Sequence, residues 1–256
     1  MKIIVCIKQV PERDAQVRID SSGKWIEEAE LQFAMNESDA YALEEALQLK
    51  EKHGGEVVVL SAGPERAGTT IREALAKGAD RAIQVESDDL NQRDALGVAQ
   101  LLAAAAMQES PDLVLTGLQS DDLGYGQTGV IMAELMGLPH ASLILNVEKR
   151  DGGITVKREL EEGWFQNIEL PLPAVLMIQS GGTKLRYATL MGIKKAKTKE
   201  LRKIDAAELG AAALPAAILE KITLPQKQRS TQIISGSAKE AAASLVEKLK
   251  FEVRVI

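Results

Sequence analysis

The chain has one cysteine, Cys6, and two histidines, His53 and His140, in 256 residues. A single thiol cannot build a disulfide framework, so the setting reads as reducing and intracellular. Cys6 lies within an apolar N-terminal run, far in sequence from either histidine. It reads as a small buried side chain and not as a nucleophile. These three residues form no ligand cluster for zinc or iron, so no metal site is expected. No nucleophilic triad can be assembled either, which leaves catalysis by side-chain chemistry poorly supported. No apolar stretch approaches the roughly 18 residues that a membrane span requires. The opening MKIIVCIKQV has no long apolar core followed by a small-residue cleavage site, and reads as a strand and not a signal peptide. The formal charge of −6 gives a nucleic-acid partner no electrostatic support.

What is present is alternation. Short apolar runs at 3–7, 57–61, 82–85 and 113–116 are separated by helical patterns at 38–53, 64–77, 93–108 and 127–136. β-branched runs between amphipathic helices predict an α/β fold with a doubly wound, mostly parallel sheet. Later runs at 143–149, 154–161 and 166–170 predict further strands. Asp151-Gly152-Gly153 marks a hairpin turn between the first two. Another apolar strand follows Pro173, at 174–178. From Ser180 the character changes: Gly181-Gly182 breaks the pattern and residues 184–203 carry dense positive charge. An Ala-rich helical piece is expected at 205–213, then Pro215 and Pro225, then an amphipathic helix at 238–250 with apolar Ala242, Leu245, Val246 and Leu249. The expected organisation is an α/β domain over 1–183 and an extended C-terminal arm over 184–256. That arm has too little apolar content to fold alone, so it packs on the body or on a partner chain.

The most informative stretch is 112–129, DLVLTGLQSDDLGYGQTG. A buried strand breaks at Gly117 into a polar loop with glycines at 124, 126 and 129, and a helix begins near Gln127. Unpaired N–H groups at a helix start bind phosphate without a basic side chain. Gly124-Tyr125-Gly126-Gln127-Thr128-Gly129 matches G-x-G-x-x-G. A dinucleotide fingerprint, however, should follow its strand directly in the first βα unit, and this one does not. The loop therefore reads as another kind of nucleotide-phosphate site or as a plain structural loop. Tyr125 reads as a wall for a base or ribose, or as core packing.

Several strings together resemble the β subunit of electron transfer flavoproteins along nearly the whole chain. Val5-Cys6-Ile7-Lys8-Gln9-Val10-Pro11 is similar to the family's opening strand and its exit. Asn36-Glu37-Ser38-Asp39, with Glu44-Glu45-Ala46, is similar to its helix entry. Ser61-Ala62-Gly63-Pro64 and residues 74–82 match two further blocks, and 117–129 is similar to the nucleotide loop. Val156-x-Arg158, Glu161-Glu162-Gly163, Gln166-x-Ile168 and Pro173-x-Val175-Leu176 fit the family signature, with Met177 departing from its usual small residue. Residues 186–197, RYATLMGIKKAK, resemble the loop used to dock on dehydrogenases.

The resemblance implies an electron carrier and not a substrate-transforming enzyme. It implies pairing with an α subunit, an FAD held mainly by that subunit, and an AMP buried in this adenine-nucleotide-binding, Rossmann-like chain. The implied AMP contacts are Cys6, Lys8, Asn36, Asp39, Ala62, Gly117, Ser120, Asp121, Gly124, Tyr125, Gly126, Gln127 and Thr128. The phosphate would rest on the N–H groups of Gly126, Gln127 and Thr128. Asn36 and Ser38 read equally as helix N-caps, Lys8 as an exposed strand-end charge, and Asp121 and Asp122 as solvated carboxylates that must turn away from a phosphate. Leu190 is implied as an apolar docking anchor, with Lys194, Lys195 and Lys197 steering toward an acidic surface. Implied partners are flavin-dependent dehydrogenases of the acyl-CoA type as donors and a membrane quinone oxidoreductase as acceptor. The implied location is the cytoplasm or an organelle matrix. Two alternatives stay open: a bifurcating-type subunit with a second FAD in place of AMP, and a stand-alone adenine-nucleotide sensor.

Overall fold

The computed structural model describes residues 1–87, 90–210, 216–225 and 231–255. They form two compact units, Met1–Ile222 and Thr223–Ile256. The first unit begins with β1 (Lys2–Cys6), β2 (Gln9–Pro11) and β3 (Phe33–Met35). It continues through α1 (Glu37–His53), β4 (Glu56–Ala62), α2 (Gly68–Lys77), β5 (Arg81–Glu86), α3 (Ala95–Gln108), β6 (Leu113–Gly117) and α4 (Thr128–Met136). It then runs through β7 (His140–Arg150), β8 (Gly153–Glu159), β9 (Phe165–Pro171), β10 (Ala174–Ile178), α5 (Leu190–Ala196) and β11 (Leu201–Asp205). Among the described residues nine strands form one sheet in the order β11-β5-β4-β1-β6-β10-β7-β8-β9. It is parallel from β11 to β7 and antiparallel from β7 to β9. This is the doubly wound, mostly parallel, Rossmann-like α/β fold that the alternation predicts.

The continuous apolar runs exist because both faces of the parallel strands are covered. Ile3 and Val5 point into one core with Leu43, Ala46 and Leu47 of α1 and Ile71 and Leu75 of α2. Ile4 and Cys6, on the opposite pleat, pack against Leu101, Leu102 and Ala105 of α3 and Met132 of α4. Asp94 caps α3 by accepting from the Gly97 N–H at 2.9 Å. Gly137, in the left-handed region at φ 65°, ends α4.

Several expectations need correction. The pattern at 64–77 resolves into a 3-10 turn over Glu65–Ala67 followed by α2. A small antiparallel pair, β2 with β3, has no counterpart in the sequence reading. Inside the basic stretch lie α5 and β11, the latter adding to the sheet edge beside β5. Of the Ala-rich helix expected at 205–213, the described residues form a 3-10 turn, Ala206–Leu209, capped by Asp205 at the end of β11 and ended by left-handed Gly210. Residues 211–213 and Pro215 lie outside the described residues.

The second unit contains α6 (Ala238–Lys248). Its start is a capping box in which Ser237 and Glu240 satisfy each other's backbone N–H. A π turn, Leu249–Val253, follows it. Leu245, Val246 and Phe251 are exposed on this unit. Among the described residues no helix is long and apolar enough to cross a membrane.

Candidate functional site

The chain runs β1, β4, β5 toward one edge of the sheet, then returns to place β6 on the other side of β1. Crossovers leaving in opposite directions open a crevice at the carboxyl ends of β1 and β6, which is where open α/β sheets hold ligands. Cys6 ends β1, Ala62 ends the adjacent β4, and Gly117 ends β6. The loop 118–127 leaves this edge after Gly117 and leads into α4, which begins at Thr128.

Side chains from the entry to α1 shape the loop. Asn36 is buried at the N-cap position of α1, yet its side chain does not cap the helix. Its Nδ2 donates to the Gln119 carbonyl (2.9 Å) and to Ser38 Oγ (3.1 Å), and its Oδ1 accepts from the Asp121 N–H (2.9 Å). Ser38 Oγ donates to the same Gln119 carbonyl at 2.8 Å. Buried Asp39 bridges two strand ends: one oxygen accepts from the Lys8 N–H (2.7 Å), the other from the Gly117 N–H (3.0 Å). A Cβ at Gly117 would overlap Asp39 Oδ1 and Ser38 Oγ, so the close approach of β6 to α1 requires glycine.

The far end of the loop is built for bare backbone. Gly124 and Gly126 both adopt positive φ, at 65° and 62°. Gln127 sits at the N-cap of α4 with no side chain capping the first N–H groups. The helix can approach the sheet because Gly129 carries no Cβ; one there would overlap Thr116 Oγ1 and Met177. Met177, which departs from the family signature, therefore fills space beside Gly129. Tyr125 is 55% exposed, which rules out core packing for it.

The carboxylates that would repel an anion are engaged elsewhere. Asp122 Oδ1 pairs with Lys8 Nζ at 2.7 Å, and Ser120 Oγ lies 3.5 Å from the same ammonium. Asp121 Oδ2 accepts from the Glu37 N–H at 3.2 Å, at the positive end of α1. Burial acts to raise the Asp122 carboxyl, but Lys8 outweighs it and the group stays below the usual range. Burial pushes Asp39 up to about 7 against the pull of Asn36, of its backbone donors and of Lys8. Cys6 is driven far upward by burial and by the Asp39 charge, which keeps it a thiol with no nucleophilic use. Lys8 is thus committed to Asp122 and not left as a free strand-end charge.

The implied docking residues lie elsewhere, on α5. This helix packs on α2 so closely that a Cβ at Gly192 would overlap the Ala76 carbonyl. Leu190 is 83% exposed, Tyr187 and Met191 are exposed beside it, and Lys194, Lys195 and Lys197 are exposed after it. Arg186, Gln48 and Arg72, which grip the ends of this segment, escape sequence reasoning because their partners lie more than a hundred residues away. Among the described residues no grouping of His, Cys, Asp and Glu suits a metal ion.

Fold and switch-point loop define an open α/β protein of the Rossmann-like kind. A profile of the electron transfer flavoprotein domain matches residues 24–209. The chain is similar to the electron transfer flavoprotein subunit beta of Methylophilus methylotrophus, 37% identical over 96% of this chain and 97% of the relative. It is equally similar, at 37%, to the mitochondrial subunit beta of Oryza sativa subsp. japonica, and 33% identical to that of Bacillus subtilis, in both cases over the full length of both chains. The chain belongs to the electron transfer flavoprotein family, among its β subunits.

Proposed function

We propose that this chain is the β half of a heterodimeric electron transfer flavoprotein and that its switch-point crevice holds an AMP. The observation that carries the nucleotide assignment is the α4 entry: uncapped N–H groups behind two glycines of positive φ, with both loop aspartates engaged elsewhere. Gly126, Gln127 and Thr128 would hold the phosphate through backbone N–H groups. Backbone near Cys6 and Ala62 would face the adenine, and Gly117, Ser120, Asp121, Gly124 and Tyr125 would line the loop side. Asn36, Asp39 and Lys8 act through the loop that they fix. The phosphate charge would be met by the helix dipole and backbone, since Lys8 is already neutralised.

In this reading FAD sits mainly on the α partner and supplies the electron exchange; the protein supplies position and electrostatics. The chain then carries electrons and transforms no substrate, passing them from flavin-dependent dehydrogenases of the acyl-CoA type to a membrane quinone oxidoreductase. Residues 1–183 would serve as the nucleotide-binding body and 184–256 as docking segment and arm. The exposed apolar face of α6 supports a clasp on the α partner. The location would be the cytoplasm or an organelle matrix.

The test is to co-express the chain with its α partner, purify the heterodimer, release nucleotides by heat and quantify them by chromatography with mass detection. One AMP and one FAD per heterodimer are expected. Two FAD and no AMP would transfer the crevice to a second flavin. No purine beyond one FAD would overturn the nucleotide assignment, and a colourless monomer turning over ATP would overturn the carrier.

A further inference from the structure

The exposed segment 187–197 is held at both ends by buried or half-buried cation contacts. At its entry, the Arg186 guanidinium donates to both carboxylate oxygens of Glu44, at 2.8 and 3.0 Å, and to Glu51 at 2.5 Å. The Arg186 backbone N–H also donates to Glu44, at 3.2 Å. Gln48, one turn along the same face of α1, donates to Thr183 Oγ1 at 2.7 Å and to Glu44 at 3.0 Å. Glu44 is only 5% exposed, so this pairing is shielded from solvent in a way that a surface pair is not.

At its exit, Arg72 of α2 donates to the Ala196 and Lys199 carbonyls, both at 2.7 Å. Lys199 in turn donates to the Leu75 carbonyl at 2.9 Å and to the Ala79 carbonyl. The Arg72 bond to Ala196 satisfies a carbonyl that the short helix α5 leaves open at its end, and the Lys199 bond to Leu75 does the same at the end of α2. Between the clamps, Gly192 lies against α2 and Thr189 caps α5 by accepting from the Gly192 N–H at 3.0 Å. The most exposed large apolar side chains of the segment are Tyr187, Leu190 and Met191, at 90%, 83% and 62% exposure.

We infer that Arg186 and Arg72 are positioning residues that preset the segment 187–197 for docking on a flavin dehydrogenase. The inference rests on the docking role proposed above for the segment from residue 184 onward, with Leu190 as the anchor that the family resemblance implies. A segment already ordered before encounter loses little conformational entropy on binding, so a clamp of this kind strengthens association without touching the partner. It leaves the electron-transfer step of the docked complex alone. The observable is therefore KM for the reduced dehydrogenase, with kcat retained.

The test uses the flavin-loaded heterodimer and a reduced acyl-CoA dehydrogenase as electron donor, with the variants Arg186→Gln, Arg72→Gln, Arg186→Lys and Leu190→Ala. Each Gln variant is expected to raise KM about tenfold, the scale of ordering a few side chains on binding, with kcat within about twofold. Arg186→Lys keeps the charge beside Glu44 and is expected to fall between. Trypsin cleavage at Lys194, Lys195 and Lys197, which needs no partner, is expected to quicken in both Gln variants. Should Leu190→Ala raise KM while both Gln variants match wild type, the clamp fails and the docking role stands. If Leu190→Ala also leaves KM unchanged, the docking role fails and the clamp falls with it. Unchanged trypsin cleavage, or a drop in kcat at constant KM, also overturns the inference.

Discussion

Replacing Gly117 by alanine is expected to empty the crevice and destabilise the heterodimer by about 2–3 kcal/mol, at the upper end for an overpacked site. The added methyl would overlap Asp39 Oδ1 and Ser38 Oγ and lie 2.9 Å from the Asp39 backbone nitrogen. None of these is the free end of a flexible side chain. Asp39 holds the Lys8 and Gly117 N–H groups, and Ser38 holds Gln119. Accommodating the methyl means moving the first turn of α1 away from the end of β6, which frees both buried N–H groups and slackens the loop. A lost nucleotide then removes the stabilisation that binding adds. Gly152→Ala in the β7–β8 turn is the matched control. It has φ 81° and nothing within 4 Å, so it carries only the roughly 1 kcal/mol of a left-handed alanine and no nucleotide loss. Denaturant midpoints and AMP per heterodimer report the two effects. A Gly117→Ala heterodimer with a full complement of AMP and a wild-type midpoint would mean that the loop does not depend on this approach.

The glycines of 117–129 stand out in the sequence as a loop of phosphate-binding or plain structural kind, but their separate reasons do not. Gly124 and Gly126 answer a backbone demand, positive φ, that local patterning anticipates. Gly117 and Gly129 answer close approaches to Asp39 and to Met177, which exist only once β1, β6, β10 and α1 are assembled. The same division runs through the fold. Strands buried on both faces, such as β1 and β6, announce themselves as apolar runs. β11, Leu-Arg-Lys-Ile-Asp, buries only Ile204 well and hides inside a basic stretch. The pair β2–β3 has three residues per strand, too short for any period to register. Asn36 has the right residue type and position for an N-cap, and tertiary partners on the loop claim its side chain instead. The carboxylates Asp121 and Asp122 cannot be placed from sequence because their partners, the Glu37 N–H and Lys8, come from other elements.

Asp39 gives the second large effect, and its signature is in pH. Burial holds its carboxyl at about 7 in the folded chain, against an ordinary value of 3.8. Between those values the folded chain keeps a proton that the unfolded chain has released, so stability is greatest at the acid end of the window and falls as pH rises through 7. Glu45, buried on α1 and accepting from the Val147 N–H at 2.7 Å, is also pushed up to about 7 by burial and acts in the same sense. For Asp39 the fall is at most roughly 4 kcal/mol. Glu44, Glu109 and Asp122 work oppositely: each is held below its ordinary value, so its contribution is present above that value and lost as pH drops further. Stability is therefore expected to peak at about pH 4, near the ordinary carboxyl values, and decline on both sides. Asp39→Asn removes the proton but turns one acceptor oxygen into a donor that faces either the Lys8 or the Gly117 N–H. The variant should lose about 1–3 kcal/mol at about pH 5, where the wild-type carboxyl is protonated, and this deficit should narrow toward about pH 8, because the variant's own decline shrinks to the share set by Glu45. Urea midpoints of the two heterodimers across that range give the comparison. Parallel curves would mean that Asp39 is ionised throughout and that its two backbone donors outweigh its burial.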